Sequence, residues 1–384
     1  MSFLRAGFFA PVLLFVTVPA SATTIHVPGD SSTIKAAVAG AISGDTILVA
    51  AGDYVGEGNR DVTVVDSSLV IRSEDGYEST TIRCGGSVAE PHRAFNLVGH
   101  FQGSTVIEGF TITGGYAPPE EDNEISYTGG AIFISGAATP MIRDCRFVEN
   151  YARTSGGAVS VFNCGPEIVN CIFKENTAGD LYGRGGAVLL VRSGANVMDC
   201  VFSRNEGGAI HIGGTGVPPT IDGCTFFLNV RRSTISVEGS RQPIIRHCTL
   251  FADSLGGESA IRVENTASVI VENTIIACTH GPAIACSADS EITISCSDLY
   301  HNFGGDWTGC AEGQLGVRGN FSGDPRFCNP ARDLRLGDDS PCLNALGCGL
   351  VGALPRGCGT GSESCPYPSA TEASTWGSVK TRYR

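Results

Sequence analysis

Apolar and polar residues alternate in short segments along most of the chain, and these segments recur. Residues 156–176 read GGAVSVFNCGPEIVNCIFKEN, and two variants follow them, GGAVLLVRSGANVMDCVFSRN and GGAIHIGGTGVPPTIDGCTFFLN. Each copy contains two or more segments of period-two alternation broken by Gly, Asn or Pro, a pattern typical of strands and turns. A period of about 22–29 residues with several strands per copy predicts a solenoid whose successive coils stack as parallel strands.

Stacking places equal positions of the repeat in columns, because strands of adjacent coils lie about 4.8 Å apart. We predict a cysteine column and a phenylalanine column in the core and a turn column of hydrogen-bonded asparagines, at Cys145, Cys171, Cys200, Cys224 and Cys248, at Phe147, Phe173, Phe202 and Phe226, and at Asn150, Asn176, Asn205 and Asn229. Parallel side chains within one column favour buried free thiols over disulfides. The cysteines from Cys296 to Cys365 lack the period and are better candidates for disulfides.

The ends of an open solenoid need caps, because they expose strand edges. The N-terminal segment TIHVPGDSSTIKAAVAGAISGDTILVAAGDYVG predicts a strand, a strand entering the first coil and, between them, a short helix with one apolar face, formed by Ile34, Ala37, Val38, Ala41 and Ile42. We expect a signal peptide at 1–22, an N-terminal strand and capping helix at 23–45, and coils at 46–303. A cysteine-rich closing segment at 304–358 and a polar, disordered tail at 359–384 are expected to follow.

Three stretches resemble known proteins. STIKAAVAGAISGDTILVAAGDYVG is similar to the N-terminal entry of right-handed parallel β-helix proteins, the pectin-lyase-like superfamily. The GGA(I/V) and FxxN repeats resemble those of polymorphic outer-membrane proteins, and residues 323–353 resemble the closing segment of secreted bacterial β-helix proteins. The resemblance implies an all-β, right-handed parallel β-helix of about ten coils with a short N-terminal capping helix. It leaves function open, since the superfamily includes lyases, hydrolases, epimerases and adhesins.

The net charge and the N-terminal segment indicate which partners and which location to expect. The formal net charge is −13 and no basic run is present, which argues against nucleic acid as a partner. MSFLRAGFFAPVLLFVTVPASATT holds one Arg, an apolar run and small residues at Ala20, Ser21 and Ala22, which is typical of a signal peptide. The apolar run is too short to span a membrane. We expect an exported monomer, secreted or at the cell surface, that is not membrane-embedded.

The resemblance to polysaccharide-cleaving enzymes implies clustered Asp residues for Ca²⁺ with an Arg base, or Asp pairs beside a Gly-His-Gly motif. The coils show no such set, and Asp338-Asp339, the only adjacent Asp pair, lies in the closing segment, where a capping-loop role is favoured. An insertion at residues 116–127 carries four acidic residues, for which Ca²⁺ binding and a plain exposed loop are alternatives, at Glu120, Glu121, Asp122 and Glu124. We predict no metal site and no cofactor, and catalysis is uncertain, with a lean towards none.

The strands that follow the GGA phrase offer a candidate binding surface, because alternation directs every second residue outward. The hypothesis is a substrate-binding strip with Phe133 and Phe162 as aromatic platforms for sugar rings. Hydrogen-bonding groups for sugar hydroxyls or carboxylates would complete it, namely His211, Glu238, Arg262 and Glu264. The alternative is a solvated salt-bridge pair with scattered surface phenylalanines.

These observations predict a secreted or surface-associated β-helix protein that acts as a non-catalytic glycan-binding or adhesion module. Its expected partner is a polysaccharide or a cell-surface glycan. The alternatives are a polysaccharide lyase or glycoside hydrolase with an unrecognised active site, and a purely structural surface protein.

Overall fold

The chain forms a right-handed parallel β-helix of about ten coils, as the sequence predicts. The structure, a computed structural model, describes residues 22–99, 105–118, 127–136, 139–179, 183–239, 241–253 and 256–365. Each complete coil contributes one strand to each of three parallel sheets, here called A, B and C in chain order. The predicted signal peptide up to residue 21 and residues 366–384 of the predicted tail lie outside the described residues. The prediction that disorder begins at residue 359 is wrong, because residues 359–365 pack against the closing segment and Cys365 is buried in a disulfide with Cys278.

Short strands build all three sheets. Sheet A contains Thr24–Val27, Thr46–Val49, Val70–Ser73, Val106–Glu108, Met141–Arg143, Glu167–Val169, Asn196–Met198, Thr220–Asp222, Arg241–Arg246, Ser268–Glu272 and Glu291–Ser295. Sheet B contains Gly52–Val55, Thr80–Arg83, Thr111–Thr113, Arg146–Val148, Ile172–Lys174, Val201–Ser203, Thr225–Phe227, Thr249–Phe251, Ile275–Ala277 and Asp298–Tyr300. Sheet C contains Val62–Val65, Phe95–Val98, Ile132–Ser135, Val159–Phe162, Val188–Val191, Ile210–Gly213, Ile235–Glu238, Ile261–Glu264 and Ile284–Cys286.

Smaller elements complete the fold. A two-stranded parallel sheet, Tyr151–Ala152 with Thr177–Ala178, lies in the loops between sheets B and C. A three-stranded sheet forms within the closing segment from Phe327–Asn329, Asp333–Gly337 and Arg356–Cys358. Within the part of the chain that the structure describes, the helical elements are the α-helix Ile34–Gly40 and the 3-10 helix Gly309–Ala311.

Equal positions of the repeat superpose, and this confirms the predicted columns. Register pairs Ile168 with Val197 and Val197 with Ile221, which aligns the cysteines three residues later. The four rings of the phenylalanine column stack with successive centroids 4.8 Å apart. The column cysteines are buried free thiols, and Cys200 Sγ donates to the carbonyl of Met198 at 3.2 Å. Burial raises the pKa of the Cys200 thiol well above its ordinary value, so this sulfur is unreactive in the folded state.

The asparagine column is a continuous hydrogen-bonded ladder. Each side-chain amide nitrogen donates to the Oδ1 of the next column residue, at 3.0, 3.1, 2.9 and 3.0 Å in the order Asn150, Asn176, Asn205, Asn229, Asp253. The same nitrogens also donate to backbone carbonyls of the preceding coil, as Asn229 does to Phe202 at 3.0 Å. The predicted ladder is therefore confirmed, and the acceptor for its last asparagine is the carboxyl group of Asp253.

The N-terminal helix covers the first coils. The Thr33 hydroxyl caps it by accepting from the Ala36 N–H at 3.2 Å, and Ile34 and Ala37 are buried against the core. The predicted contribution of Ile42 to this packed face is wrong, because the helix ends at Gly40 and Ile42 lies exposed beyond it.

Disulfides hold the C-terminal region together, and six of the seven cysteines from Cys296 to Cys365 are bonded as predicted, whereas two of their partners, Cys278 and Cys286, were not predicted. Cys286–Cys310 joins the last strand of sheet C to the 3-10 helix, whose Ala311 is buried in the core. Three further bonds hold the closing segment, Cys278–Cys365, Cys296–Cys348 and Cys328–Cys358. Cys342 is an exception to the prediction and remains a buried free thiol.

The closing segment folds back along the outer face of sheet B. Phe327, Leu336 and Val351 pack there against Phe251 and Ile275. This covers the flank of the last coils, whereas residues around Ala311 close the end of the core. Among the described residues, no helix combines the length and the apolar character needed to cross a membrane.

Candidate functional site

Two columns of outward-facing positions run along sheet C. Register aligns the first outward column as Phe133, Ser160, Leu189, His211, Ser236 and Arg262. It aligns the second outward column as Ser135, Phe162, Val191, Gly213, Glu238 and Glu264. The structure therefore brings the predicted site residues onto one face, in the predicted order.

The N-terminal half of this face is closed. Phe133 and Phe162 retain 6% and 3% of their accessible area and form an apolar cluster with Leu189. The two rings lie 5.7 Å apart between centroids in a tilted arrangement. The prediction that Phe133 and Phe162 are exposed aromatic platforms is wrong, because a sugar ring cannot stack on a buried aromatic face.

Neighbouring groups account for this burial. The guanidinium carbon of Arg93 lies 5.0 Å from the centroid of the Phe133 ring, within the range of a cation–π contact. The loop before each strand also approaches the outward side chains. A Cβ added to Gly156 would lie 2.3 Å from Ser160 Oγ and 2.9 Å from Leu189 Cβ. The glycine corners therefore lie against the first outward column, so these positions are less exposed than strand alternation alone predicts.

The C-terminal half of the face is open and carries interacting charged side chains. We call these residues the charged cluster: Arg184, His211, Glu238, Glu258, Arg262 and Glu264. The structure thus brings together the four polar residues that the sequence predicts for the site and adds an arginine and a glutamate.

Two arginines organise the charged cluster. Arg184 Nη1 donates to Glu238 Oε2 at 2.9 Å and lies 3.1 Å from Glu264 Oε2. Arg262 Nε donates to Glu264 Oε1 at 2.8 Å, and its Nη1 donates to Glu258 Oε2 at 3.1 Å. Each arginine bridges two carboxylates, so the side chains fix one another in place.

His211 lies at the edge of this network. Its Nδ1 is 2.8 Å from Ser236 Oγ, and its Nε2 is 3.9 Å from Glu238 Oε2. Burial, followed by the nearby Arg184 guanidinium, lowers the pKa of His211 to about 4. The imidazole is therefore neutral near pH 7, with Nδ1 already hydrogen-bonded to Ser236.

The contact between Glu264 and Arg262 stabilises the charged form of both side chains. Burial by itself raises the pKa of Glu264, but hydrogen bonds and charge attraction from Arg262 and Arg184 outweigh it and leave that pKa below its ordinary value. The same contact with Glu264 is the main cause of the raised pKa of Arg262. Near neutral pH the cluster thus offers arginine donors and carboxylate acceptors side by side.

A small recess opens beside these side chains. It has a volume of about 80 Å³ and is lined by Arg184, Arg232, Ser233, Ser236, Glu258 and Arg262. Every lining residue carries a hydrogen-bonding side chain, so the recess is suited to a polar ligand group.

Arg184 and Glu258 were missed by the sequence analysis, because they lie in loops before strands of sheet C. A signal for Arg184 was present. It immediately precedes the corner pair Gly185-Gly186, just as Ser155 precedes Gly156-Gly157, and the structure pairs Ser155 with Arg184 across adjacent coils. The residue before the glycine pair is thus an additional position of the site.

Half-exposed tyrosines lie in the loops between sheets B and C. Tyr116 and Tyr151 stack with centroids 4.6 Å apart, and the Arg153 guanidinium lies 5.2 Å from the Tyr127 ring. In each pair one ring face is already in contact with its partner. The tyrosines therefore stabilise the loop edge and are less suited to stacking on a sugar than free rings would be.

The other sequence candidates lie elsewhere. Asp338 accepts from Arg356 Nη2 at 2.7 Å, and Asp339 accepts from Arg326 Nε at 2.9 Å and from the Gly361 N–H at 2.7 Å. This adjacent pair therefore holds the closing segment together, as favoured from the sequence. The four acidic residues of the insertion fall at 119–126, outside the described residues.

Comparison with known proteins gives a family match and distant structural likenesses. The sequence model of the family described as "Right handed beta helix region" matches residues 98–226 and 181–322. No curated protein matches the chain. A mutant of a PL6 family alginate lyase is similar at 14% identity and a TM-score of 0.46, covering 78% of this chain and 40% of that one. The ORF18 protein of Geobacillus virus E2 is similar at 12% identity and a TM-score of 0.41, covering 72% of this chain and 52% of that one.

Proposed function

Because this chain belongs to the family of right-handed beta-helix regions, we propose a function that a rigid parallel scaffold can carry on its outer face, the binding of a glycan. In this proposal the protein is a non-catalytic glycan-binding or adhesion module at the cell surface or outside the cell. The charged cluster on sheet C is its binding site.

The supporting observation is the arrangement of donors and acceptors around the recess. Arg184 and Arg262 hold three carboxylates in fixed positions, and the neutral His211 lies beside them. A sugar hydroxyl both donates and accepts, so it can bond to an arginine N–H and a glutamate oxygen together. Binding sites commonly use such positioned polar groups to orient a ligand.

The energetics of the cluster support a binding role over a purely structural one. Exposed ion pairs contribute about 0–1 kcal/mol each to folding, and burying charges carries a desolvation cost. The half-buried network around Arg184 therefore adds little to the stability of a fold that its core columns already hold together. Prearranged polar groups, in contrast, lower the ordering cost of binding a ligand.

The cysteine chemistry supports an extracellular location. Four disulfides in the last coils and the closing segment fit a protein that matures in an oxidising compartment. The predicted export signal would deliver the chain there. Secretion remains part of the proposal.

Polysaccharide cleavage is the second candidate. One observation favours it, since Glu238 and Glu264 share a single nitrogen of Arg184 and thus form a carboxylate pair on an outer face. A glycoside hydrolase needs one carboxyl group with a raised pKa as its acid. The pKa of Glu264 is lowered instead, and Glu238 is ion-paired, so the pair is better suited to binding.

The proposal is tested by glycan-array binding of the wild-type chain and of the double variant His211→Ala/Arg262→Ala. We expect the wild type to bind at least one glycan and the double variant to lose about tenfold or more of that affinity. Arg143→Ala is the matched control, because Arg143 forms an ion pair with Glu108 on sheet A and is 45% exposed, against 42% for Arg262.

Three results would count against the proposal. Unchanged binding by the double variant would exclude the charged cluster as the site, and an absence of wild-type binding to any glycan would exclude the function. New reducing ends or unsaturated products on incubation with polysaccharides would favour the enzyme instead.

A further inference from the structure

We infer that the ligand of the charged cluster is an uncharged glycan that presents neighbouring hydroxyl groups, and not a polyuronate or a sulfated polysaccharide. The inference rests on the proposed function and names the ligand class of the same site. It follows from how the charges of the site are balanced and paired.

The site has no excess of positive charge to attract an anion. Three arginines line the recess, Arg184, Arg232 and Arg262, and the charged cluster supplies three glutamates, Glu238, Glu258 and Glu264, which pair with Arg184 and Arg262. His211 adds no charge near pH 7, because its pKa lies near 4. The ion pair of Arg231 with Glu206, at 2.6 Å between Nε and Oε1, adds no net charge either.

The carboxylates occupy the arginine donors that connect the cluster, Nη1 of Arg184 and Nε and Nη1 of Arg262. Glu264 lies between Arg184 and Arg262, at 3.1 and 2.8 Å, and Glu258 accepts from Arg262 at 3.1 Å. A uronate carboxylate would either displace one of these glutamates and leave it unpaired in a half-buried position, or use the remaining arginine N–H groups and place a further negative charge beside the glutamates. Leaving a desolvated charge without its partner is costly, so the exchange gains little.

A hydroxyl needs no such exchange. Arg184 retains N–H groups besides the Nη1 that both of its glutamates contact, and each carboxylate oxygen can accept more than one hydrogen bond. Two neighbouring hydroxyls can therefore each bridge an arginine and a glutamate while the ion pairs stay intact. The Ser233 and Ser236 hydroxyls also line the recess, where they are hydrogen-bonded to Ser259 and His211.

The charge of the whole chain acts in the same direction. A formal net charge of −13 creates a negative potential that repels a polyanion and slows its approach. The same potential does not affect a neutral glycan. This long-range contribution is screened by salt within about 10 Å at 0.1 M ionic strength. Salt dependence therefore separates the two ligand classes.

The test measures binding of the intact chain to immobilised neutral glycans (β-glucan, mannan and galactan) and to acidic ones (polygalacturonate, alginate and dextran sulfate). Each is measured in a low-salt and a high-salt buffer. We expect at least one neutral glycan to bind about tenfold more tightly than any acidic one, with less than about a twofold change on adding salt.

A charge variant sharpens the test. Glu238→Gln/Glu258→Gln removes two negative charges from the cluster and releases arginine donors, so affinity for polygalacturonate should rise several-fold while affinity for the neutral glycan falls. Glu108→Gln/Glu272→Gln, which changes two carboxylates on sheet A, is the control and should change neither affinity.

The outcomes are distinguishable. Preferential binding of an acidic glycan, lost in the high-salt buffer, would overturn this inference and leave the proposed function standing. Binding of the acidic glycans by the wild type as tight as by Glu238→Gln/Glu258→Gln would also overturn it. Failure to bind any of the six polysaccharides would overturn both.

Discussion

On the outer face of sheet C, the coils that contain Phe133, Phe162 and Leu189 are closed and apolar, whereas the coils that contain His211, Glu238 and Arg262 are open and charged. The backbone is the same in both halves, because the strands pair in one continuous parallel register. What differs is the set of side chains that the loops before the strands bring to the face. Arg93 covers Phe133 in the first half, and Arg184 reaches Glu238 and Glu264 in the second.

Under the proposed function, one sheet of the solenoid serves stability in its closed half and binding in its open half. A closed apolar cluster adds buried area to the fold. An open charged cluster adds little stability but leaves hydrogen-bonding groups accessible to a ligand. Substitutions in the two halves should therefore affect different measurements.

The largest effect is expected from Phe133→Ala in the closed half. Removing this ring leaves a cavity beside Phe162 and takes away the cation–π partner of Arg93, so the free energy of unfolding should fall by about 3 kcal/mol. Arg262→Ala in the open half should lower it by less than about 1 kcal/mol. Urea denaturation of both variants measures the contrast, and equal losses would remove the distinction between the halves.

A second effect is expected at Asp253, which accepts the last hydrogen bond of the asparagine ladder. Burial raises the pKa of Asp253 from 3.8 to about 8, and its Oδ2 has no hydrogen-bond partner among the described residues. Below about pH 4 the carboxyl group of Asp253 is protonated in both the folded and the unfolded state, and its contribution to the free energy of unfolding is highest. As the pH rises towards 8, the unfolded state loses the proton first, so the free energy of unfolding falls. Asp253→Asn completes the ladder and should remove that loss.

The measurement is the difference in the free energy of unfolding between Asp253→Asn and the wild type across pH 4 to 8. We expect the advantage of the variant to grow with pH by more than about 1 kcal/mol. The reciprocal change Asn205→Asp should create the same pH dependence in a coil that lacks it. A constant difference between variant and wild type would show that Asp253 titrates normally.

The smallest effect is expected from Ser160→Ala, again in the closed half. The Ser160 hydroxyl is buried and has no hydrogen-bond partner among the described residues, so removing it should leave stability unchanged or raise it by up to about 1 kcal/mol. The same truncation at Ser236, whose hydroxyl contacts His211 at 2.8 Å, should be destabilising. A loss of stability in Ser160→Ala would indicate that its hydroxyl is satisfied in solution.

The sequence predicts those features that repetition determines. Equal residues recur at one position of each coil, and parallel pairing must then stack them, which accounts for the phenylalanine, cysteine and asparagine columns. The same argument separates two kinds of cysteine. Cys171 and Cys200 share a repeat position and stay free thiols, whereas Cys296 and Cys348 break the period and are bonded to each other.

The burial of outward positions could not be predicted in the same way. Strand alternation gives the direction of the Phe133 and Phe162 side chains, but not the groups that pack over them. Arg93 lies in the loop before the strand Phe95–Val98. The length and sequence of this loop differ from those of the equivalent loops in the other coils. The charged cluster was predicted in part because His211, Glu238, Arg262 and Glu264 lie on strands, while Arg184 and Glu258 lie on loops.

The central claim, that the open half of sheet C binds a glycan, is tested most directly by mapping carboxylates that the ligand protects. Carbodiimide labelling followed by peptide mass spectrometry would compare the chain with and without the glycan that it binds best. Glu238 and Glu175 are matched, at 38% and 37% side-chain exposure, and only Glu238 belongs to the charged cluster. We predict that the glycan protects Glu238 and Glu258 and leaves Glu175 unchanged. Equal labelling of Glu238 with and without bound glycan would contradict the account.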